Sequence, residues 1–147
     1  MMNPTFGEKM ADKDYQARYG VYAIIPRKDD TEIVLVQAPN GAYFLPGGEI
    51  EADENHQTAL ARELVEELGV KSFEHSYLGC ADEYFYSRHR DTYYYNPAYI
   101  YASHKWQAIS KPLEDFNTIA WFPIDIAINK LKRGSHQWGV KAWQKAK

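Results

Sequence analysis

Residues 48–70 read GEIEADENHQTALARELVEELGV, and this stretch decides the fold. Its second half combines three glutamates, Glu63, Glu66 and Glu67, with three leucines spaced four residues apart. At roughly 100° per residue, an α-helix gathers the glutamates within an arc of roughly 100° and sets the leucines in a stripe beside it. The stretch therefore predicts an amphipathic helix that packs along one edge and presents carboxylates along the next.

The acidic face of this helix has two interpretations. Like charges three and four residues apart repel each other, which costs a helix roughly a few tenths of a kcal/mol per pair, and the helix contains no lysine to relieve them. Clustered carboxylate oxygens suit hard divalent ions such as Mg²⁺, which keeps several waters and also binds substrate phosphates. From the helix alone, both a cation site and an ordinary solvated face remain open.

A longer pattern runs through the same stretch. It resembles the Nudix box, in which the order is glycine, five residues, glutamate, seven residues, arginine-glutamate-aliphatic, one residue, two glutamates, one residue and glycine-aliphatic. The matching residues are Gly48, Glu54, Arg62, Glu63, Leu64, Glu66, Glu67, Gly69 and Val70. Seven fixed identities at background frequencies make a chance match on the order of one in 10⁸ per window. The preceding FLPGGEIE also resembles the family's entry into the box, although Asp53 stands where many members have glycine.

The resemblance implies a fold and an activity. Nudix proteins have an α/β fold, an α/β/α sandwich around a mixed β-sheet with the box as a loop-helix-loop, and we expect it here as a single domain over residues 1–147. They are typically pyrophosphohydrolases that use Mg²⁺ or Mn²⁺ to cleave a nucleoside diphosphate linked to another moiety. We therefore expect hydrolysis of a nucleoside triphosphate, a dinucleoside polyphosphate or a similar nucleotide. The alternative is a catalytically silent Nudix domain that binds a nucleotide as a sensor or scaffold.

The resemblance also assigns roles to residues of the box. It implies that Glu63, Glu66 and Glu67 hold the metal, and that Glu63, or a carboxylate outside the box, deprotonates the attacking water. Arg62 would orient another glutamate of the box, Glu54, through a forked charge-assisted contact.

Further candidates lie outside the helix. Gly47 and Gly48 would let the backbone approach the ligand closely. Family members often take one more acidic ligand or base from a loop across the domain, and Glu114 is our first choice for it. Asp115 and Glu83 are weaker alternatives, because either could be a plain surface charge.

Eight of the twelve tyrosines lie between residues 77 and 101. Aromatic faces can stack a nucleobase, a contact worth roughly 1–3 kcal/mol, but tyrosine is equally at home in a half-buried strand. We expect strand packing for most of them, with Tyr86 as the candidate substrate-binding residue because of its similarity to a tyrosine of diadenosine polyphosphate hydrolases. No proline follows the box as in ADP-ribose hydrolases, so no subgroup is identified.

The rest of the chain predicts strands before and after the box helix. We expect residues 1–16 to be peripheral or loosely ordered. The expected strands, with turns at 26–31 and 88–91, cover residues 18–25, 32–37, 42–45, 74–87, 92–103 and 118–122.

Three helices are predicted from capping signals and apolar spacing. The box helix should span 54–68, with Asp53 as its N-cap. Pro123 should open a second helix that ends at Gly134, and Ser135 should cap a last one.

Composition and charge exclude several classes of protein. The formal net charge of −3 argues against a partner such as duplex nucleic acid, which a basic face would bind. No apolar run is long enough to span a membrane, and the N-terminal residues do not form a signal peptide. The single cysteine, Cys80, fits a reducing compartment. We expect a cytoplasmic protein that binds a small-molecule nucleotide, with a homodimer left open.

Overall fold

Two β-sheets and three helices account for the secondary structure of residues 3–147, which this computed structural model describes. The strands are β1 Thr5–Phe6, β2 Gln16–Ala17, β3 Gly20–Ile24, β4 Pro26–Arg27, β5 Glu32–Gln37, β6 Tyr43–Phe44, β7 Gly47–Glu49, β8 Val70–Ser87, β9 Thr92–Ala108 and β10 Thr118–Pro123. The helices are α1 His56–Leu68, α2 Ile124–Lys130 and α3 Gly134–Lys145.

The larger sheet is mixed. Its strands follow the order β1-β8-β9-β3-β7, with β2 beside β9. β3 runs parallel to β9 and antiparallel to β7, while β8 and β9 form a long antiparallel hairpin. The smaller sheet has the order β10-β5-β4, with β6 also paired to β5. Strand β7 contains the glycines that lead into the box, so the larger sheet carries the box loop at one edge.

The apolar runs of β3 and β5 are continuous because both strands are covered on two faces. Val34 and Val36 of β5 pack into one cluster with the leucines of α1. Ile33 and Leu35 point the other way, into a second cluster with residues of α2 and α3. Helix α1 therefore lies on one side of the sheets, and α2 and α3 lie on the other. The expected α/β/α sandwich is confirmed.

The box helix begins two residues later than the sequence predicted. Asp53 has φ of 70°, and the N-cap is Asn55, whose side chain accepts a 2.8 Å hydrogen bond from the N–H of Thr58. The predicted Asp53 cap is wrong because Asn55 has the extended backbone and the side-chain oxygen that an N-cap requires. Glu54 consequently lies in the loop, not in the first turn, and Gly69 ends the helix as predicted.

The long hairpin extends beyond the predicted strands. β8 begins at Val70 instead of residue 74, and β9 continues to Ala108 instead of residue 103. The added segments pair with each other, from Val70 opposite Ala108 to Ser72 opposite Trp106. Several of their side chains are exposed, so the sequence lacks the alternating pattern that marks a half-buried strand. The predicted turn at 26–31 is also shorter, because Pro26–Arg27 pairs with β5.

The predicted boundary between the last two helices is wrong. Helix α2 ends at Lys130, since Leu131 adopts an extended backbone and bridges to Tyr43. Gly134 begins α3 and does not end α2, and the N-cap of α3 is Arg133, so Ser135 lies inside the first turn. None of the three helices within residues 3–147 has the length and apolarity that crossing a bilayer requires.

Candidate active site

Arg62 and Glu54 are joined by the forked contact that the sequence predicted. Nε of Arg62 donates to Oε2 of Glu54 at 2.7 Å, and Nη2 donates to Oε1 at 2.9 Å. Hydrogen bonds from Arg62, together with one from the N–H of Glu51, lower the pKa of Glu54 to about 2. Nη2 of Arg62 also donates to the carbonyl oxygen of Glu49 at 3.1 Å. The guanidinium therefore fastens the box loop to helix α1.

Glu63 lies beneath the box loop, against Gly48. A Cβ added at Gly48 would come within 2.7 Å of the Glu63 carboxylate, so only glycine leaves room for that group. Burial raises the pKa of Glu63 to about 7, Arg62 opposes the shift through a 2.9 Å hydrogen bond, and Glu66 and Glu114 add to it. A carboxylate with this pKa can exchange a proton near neutral pH.

Glu67 is held by the box loop from a different direction. The N–H of Gly47 donates a 2.7 Å hydrogen bond to Oε1 of Glu67. Burial nevertheless raises the pKa of Glu67 to about 8, with smaller contributions from the negative charges of Glu63, Glu114 and Glu66. Burial therefore favours a proton on this carboxylate, since no cation among residues 3–147 opposes the shift.

Of the three acidic candidates outside the box, the structure brings one to the carboxylate face. The N–H of Glu114 donates a 2.9 Å hydrogen bond to the carbonyl oxygen of Glu66. The pKa of Glu114 is raised, chiefly by burial and then by the charge of Glu66. Asp115 is exposed. Glu83 lies under the start of α3, where Oε1 accepts a 2.9 Å hydrogen bond from the N–H of Ser135.

The carboxylate face fits a hard divalent cation by its chemistry. The negative charges of Glu66 and Glu114 raise the pKa of Glu63 and of Glu67, and the charge of Glu66 also raises that of Glu114. The guanidinium of Arg62 contacts the carboxylates of Glu63 and Glu66. Among residues 3–147, no three acidic, histidine or cysteine side chains converge closely enough to hold a metal ion by themselves. An open arrangement suits Mg²⁺, which uses one or two carboxylates together with waters and substrate phosphates.

A cleft of about 180 Å³ opens beside Glu67. Its wall nearest the box consists of Gly47, Gly48 and Glu67, all of which the sequence singled out. The remaining polar and aromatic lining was not predicted: Arg18, Tyr22, Phe44, Phe85, Asn96, Asn117 and Arg133. These residues come from separate strands and loops, and apart from Phe44, just before the box glycines, none lies near a motif. The cleft joins an acidic end to a wall of arginine, asparagine and aromatic rings.

Asn96 contributes an unpaired acceptor to this cleft. Its side chain is 1% exposed, and Nδ2 donates to the carbonyl oxygen of Arg18 at 2.5 Å. Oδ1 has no hydrogen-bond partner within the described chain. Leaving a buried acceptor unpaired costs about 1–3 kcal/mol. A ligand that donates a hydrogen bond to Asn96 would remove that cost.

The tyrosine-rich hairpin packs mainly on itself. Tyr84 lies against Tyr95, with 5.1 Å between ring centroids, and Tyr86 lies against Tyr93 at 4.7 Å. Tyr86 is exposed, its hydroxyl donates to Asp91, and its ring lines a second cavity and not the one beside Glu67. The aromatic wall of the first cleft comes instead from residues outside the tyrosine run and from Phe85.

Sequence and structure comparisons agree on one family. A family model described as the NUDIX domain matches residues 16–144. A MutT-like protein of Streptomyces ambofaciens is 39% identical over 51 residues, which are 35% of this chain. That match covers 33% of the relative, so the chain spans about a third of the length of this curated protein.

Solved structures share the fold. The MutT NUDIX hydrolase of Burkholderia pseudomallei is 25% identical, with a TM-score of 0.60 over 90% of this chain and 99% of that one. A structure from work on MutT of Aliivibrio salmonicida and Vibrio cholerae is 22% identical, with a TM-score of 0.65 over 86% and 95%. The NUDIX domain of Shewanella oneidensis NrtR, solved with ADP ribose, is 17% identical, with a TM-score of 0.70 over 90% of each chain.

Proposed function

The chain belongs to the Nudix family, and from that premise we propose that it is a divalent-metal-dependent pyrophosphohydrolase of nucleotides. The substrate is a nucleoside diphosphate linked to another moiety, such as a further phosphate or a second nucleoside. The observation that carries the proposal is the pair of carboxylates Glu63 and Glu67, whose pKa values burial raises to about 7 and about 8. A bound cation would favour the ionised form of both groups near neutral pH.

Carboxylates from among four glutamates would hold the metal. Glu63, Glu66 and Glu67 present their carboxylates from successive turns of α1, and Glu114 approaches from the loop before β10. All four supply hard oxygen donors, which suit Mg²⁺ and Mn²⁺. When bound, the ion neutralises charge on the phosphates and makes the attacking water more acidic.

Residues of the protein would position the reacting groups, and a glutamate would receive the proton of the attacking water. Arg62 fixes the box loop through Glu54 and holds Glu63 by a hydrogen bond to Oε1. The proton of the attacking water passes to a carboxylate oxygen of Glu63 or of Glu114, since each has a pKa raised towards neutrality. The hydrogen bond from Gly47 keeps Glu67 turned toward the cleft.

The cleft beside Glu67 supplies the binding site for the rest of the nucleotide. Phe44 and Phe85 offer aromatic surfaces, and Asn96 offers an acceptor that lacks a partner. A base inserted there would exchange hydrogen bonds with buried polar groups, which discriminates more strongly than apolar contact alone. A domain of the same fold accommodates ADP ribose in the Shewanella oneidensis structure, and ADP ribose is a compound of the proposed class.

A nucleotide panel with Mg²⁺ tests the proposal. Nucleoside triphosphates, dinucleoside polyphosphates and sugar nucleotides would each be incubated with the protein, and released phosphate, pyrophosphate or nucleoside monophosphate measured. Hydrolysis of at least one class that stops in EDTA supports the proposal. Tight nucleotide binding without turnover in any class would instead favour a silent, nucleotide-binding Nudix domain. Hydrolysis in H₂¹⁸O would then show which phosphorus is attacked.

A further inference from the structure

A second cavity continues the cleft on the side away from the carboxylates. It has a volume of about 300 Å³ and shares Phe44, Phe85 and Arg133 with the first cavity. Arg88, from the turn between β8 and β9, and Lys132, from the segment before α3, complete its charged lining. The two cavities therefore adjoin at these three residues, and the second one, here called the far cavity, has basic side chains in its lining.

The far cavity has more positively charged than negatively charged side chains in its lining. Arg88, Lys132 and Arg133 are three permanent cations, whereas Glu83 is the one carboxylate in the lining. Glu83 is already engaged, since Oε1 accepts a hydrogen bond from the N–H of Ser135. Within residues 3–147, none of the three cations has a carboxylate within 4.0 Å. Cations therefore outnumber carboxylates in this lining by three to one, and the charge of Glu83 partly offsets that of Arg133.

Arg133 is the least exposed of the three. Its guanidinium carbon lies 3.5 Å from the ring centroid of Phe85 and 5.2 Å from that of Phe44. Burial lowers its pKa, yet an arginine remains charged in proteins. Keeping a charge away from water is costly unless an opposite charge accompanies it. A guanidinium stacked flat on a ring keeps its N–H edge free for a planar or tetrahedral anion.

We propose that the far cavity binds a second phosphate group of the substrate, separated from the scissile diphosphate by the nucleoside. The inference rests on the proposed function, because that proposal sets the orientation of the nucleotide in the site. The diphosphate is placed at the carboxylates and the nucleoside in the cleft of about 180 Å³, which Phe44, Phe85 and Arg133 help to line. A phosphate on the ribose then reaches Arg133, Arg88 and Lys132. The substrate class is a nucleotide phosphorylated on its ribose as well as at its 5′ end.

Binding of ligands that cannot be hydrolysed tests this inference. The probes are the 2′,5′- and 3′,5′-bisphosphates of adenosine and guanosine, compared by calorimetry with the matching 5′-monophosphates in Mg²⁺ and low salt. None contains a phosphoanhydride bond, so turnover plays no part. At least one bisphosphate should bind at least about tenfold more tightly than its monophosphate, and the preference should shrink as salt is added.

Variants of the cavity's cations test which side chains cause the preference for the bisphosphate. The double change Arg88→Ala and Lys132→Ala removes two exposed side chains, and it should abolish the preference for the bisphosphate while leaving monophosphate binding unchanged. Lys130→Ala is the matched control, because Lys130 lies over the rings of Tyr43 and Phe122 and does not line the cavity. Arg88→Lys should retain most of the preference.

The outcomes separate the two proposals. Equal affinity for all monophosphates and bisphosphates, no binding by any probe, or an unchanged preference in the double variant would overturn the second phosphate site. A clear preference for a bisphosphate combined with inertness towards every pyrophosphate would leave the site standing and refute the proposed hydrolase. Hydrolysis of a pyrophosphate without any preference for a bisphosphate would support the proposed hydrolase and refute the second phosphate site.

Discussion

The N–H of Gly47 donates a 2.7 Å hydrogen bond to Oε1 of Glu67, across 20 residues of chain. This bond links strand β7 to the last turn of α1, so it ties the loop at the mouth of the cleft to the carboxylate face. Burial opposes ionisation of Glu67, whereas this hydrogen bond favours it. The balance leaves Glu67 with a pKa of about 8.

Replacing Glu67 with glutamine tests its assignment as a metal ligand. Glutamine keeps an oxygen that can accept the hydrogen bond from Gly47, but it loses the negative charge. We expect kcat to fall by at least about a hundredfold, with an unchanged circular dichroism spectrum. Glu74→Gln is the control, because Glu74 is exposed on β8 and should be neutral. Near-normal turnover in folded Glu67→Gln would refute the ligand assignment.

Replacing Glu114 with glutamine tests the carboxylate contributed from outside the box. Its N–H bonds to Glu66 through the backbone, so the change alters charge without removing that contact. We expect kcat to fall by about tenfold to a hundredfold. Asp115→Asn is the matched control from the same loop, since Asp115 is exposed. If Glu114→Gln behaves like the wild type, the base must be Glu63.

Replacing Arg62 with lysine tests the forked contact between Arg62 and Glu54. A lysine ammonium cannot donate to both oxygens of Glu54 in the planar manner of a guanidinium, so the box loop should loosen from α1. We expect kcat to fall by at least about tenfold and the melting temperature to drop, although the positive charge is conserved. Arg90→Lys, at an exposed position of the hairpin turn, should change neither quantity. Equal activity of both variants would show that charge alone suffices at position 62.

Stability in the absence of a divalent ion should decrease as the pH rises. Glu63 and Glu67 have pKa values raised from about 4.5 to about 7 and about 8. Above the unfolded value, the unfolded chain has lost protons that the folded protein still holds, so each further rise in pH favours unfolding until both groups ionise in the folded state. The melting temperature in EDTA should therefore be lower near pH 8.5 than near pH 5.

Added Mg²⁺ should reverse this trend. The ion competes with protons for the same carboxylates, so it should raise the melting temperature more near pH 8.5 than near pH 5. In a protein of this size, each kcal/mol corresponds to about 2–4 °C, which calorimetry resolves. The double variant Glu63→Gln and Glu67→Gln should show a flatter pH dependence and a smaller response to Mg²⁺. An identical response in wild type and double variant would contradict the metal site.

The sequence by itself determined the box and the helix built on it. Glu63, Glu66 and Glu67 could be placed on one helical face because the turn angle of an α-helix fixes directions between near neighbours. The pairing of Arg62 with Glu54 followed from the same stretch, although the cap at Asn55 did not, since several residues in that loop could have capped the helix. The start of β8 and the end of β9 were not predicted, because strand pairing and not burial extends the hairpin there.

Only the tertiary structure decided what faces the box. Glu114 meets Glu66 across 48 residues of chain, and Asn96 and Arg133 reach the cleft from β9 and from the start of α3. The spacing of residues along the sequence does not predict these long-range contacts, because they depend on how strands pair and on which faces of the sheets the helices cover. Nearby residues of the chain specify the carboxylates that we propose hold a cation, whereas the packing of distant segments forms the cleft that we propose binds the nucleotide.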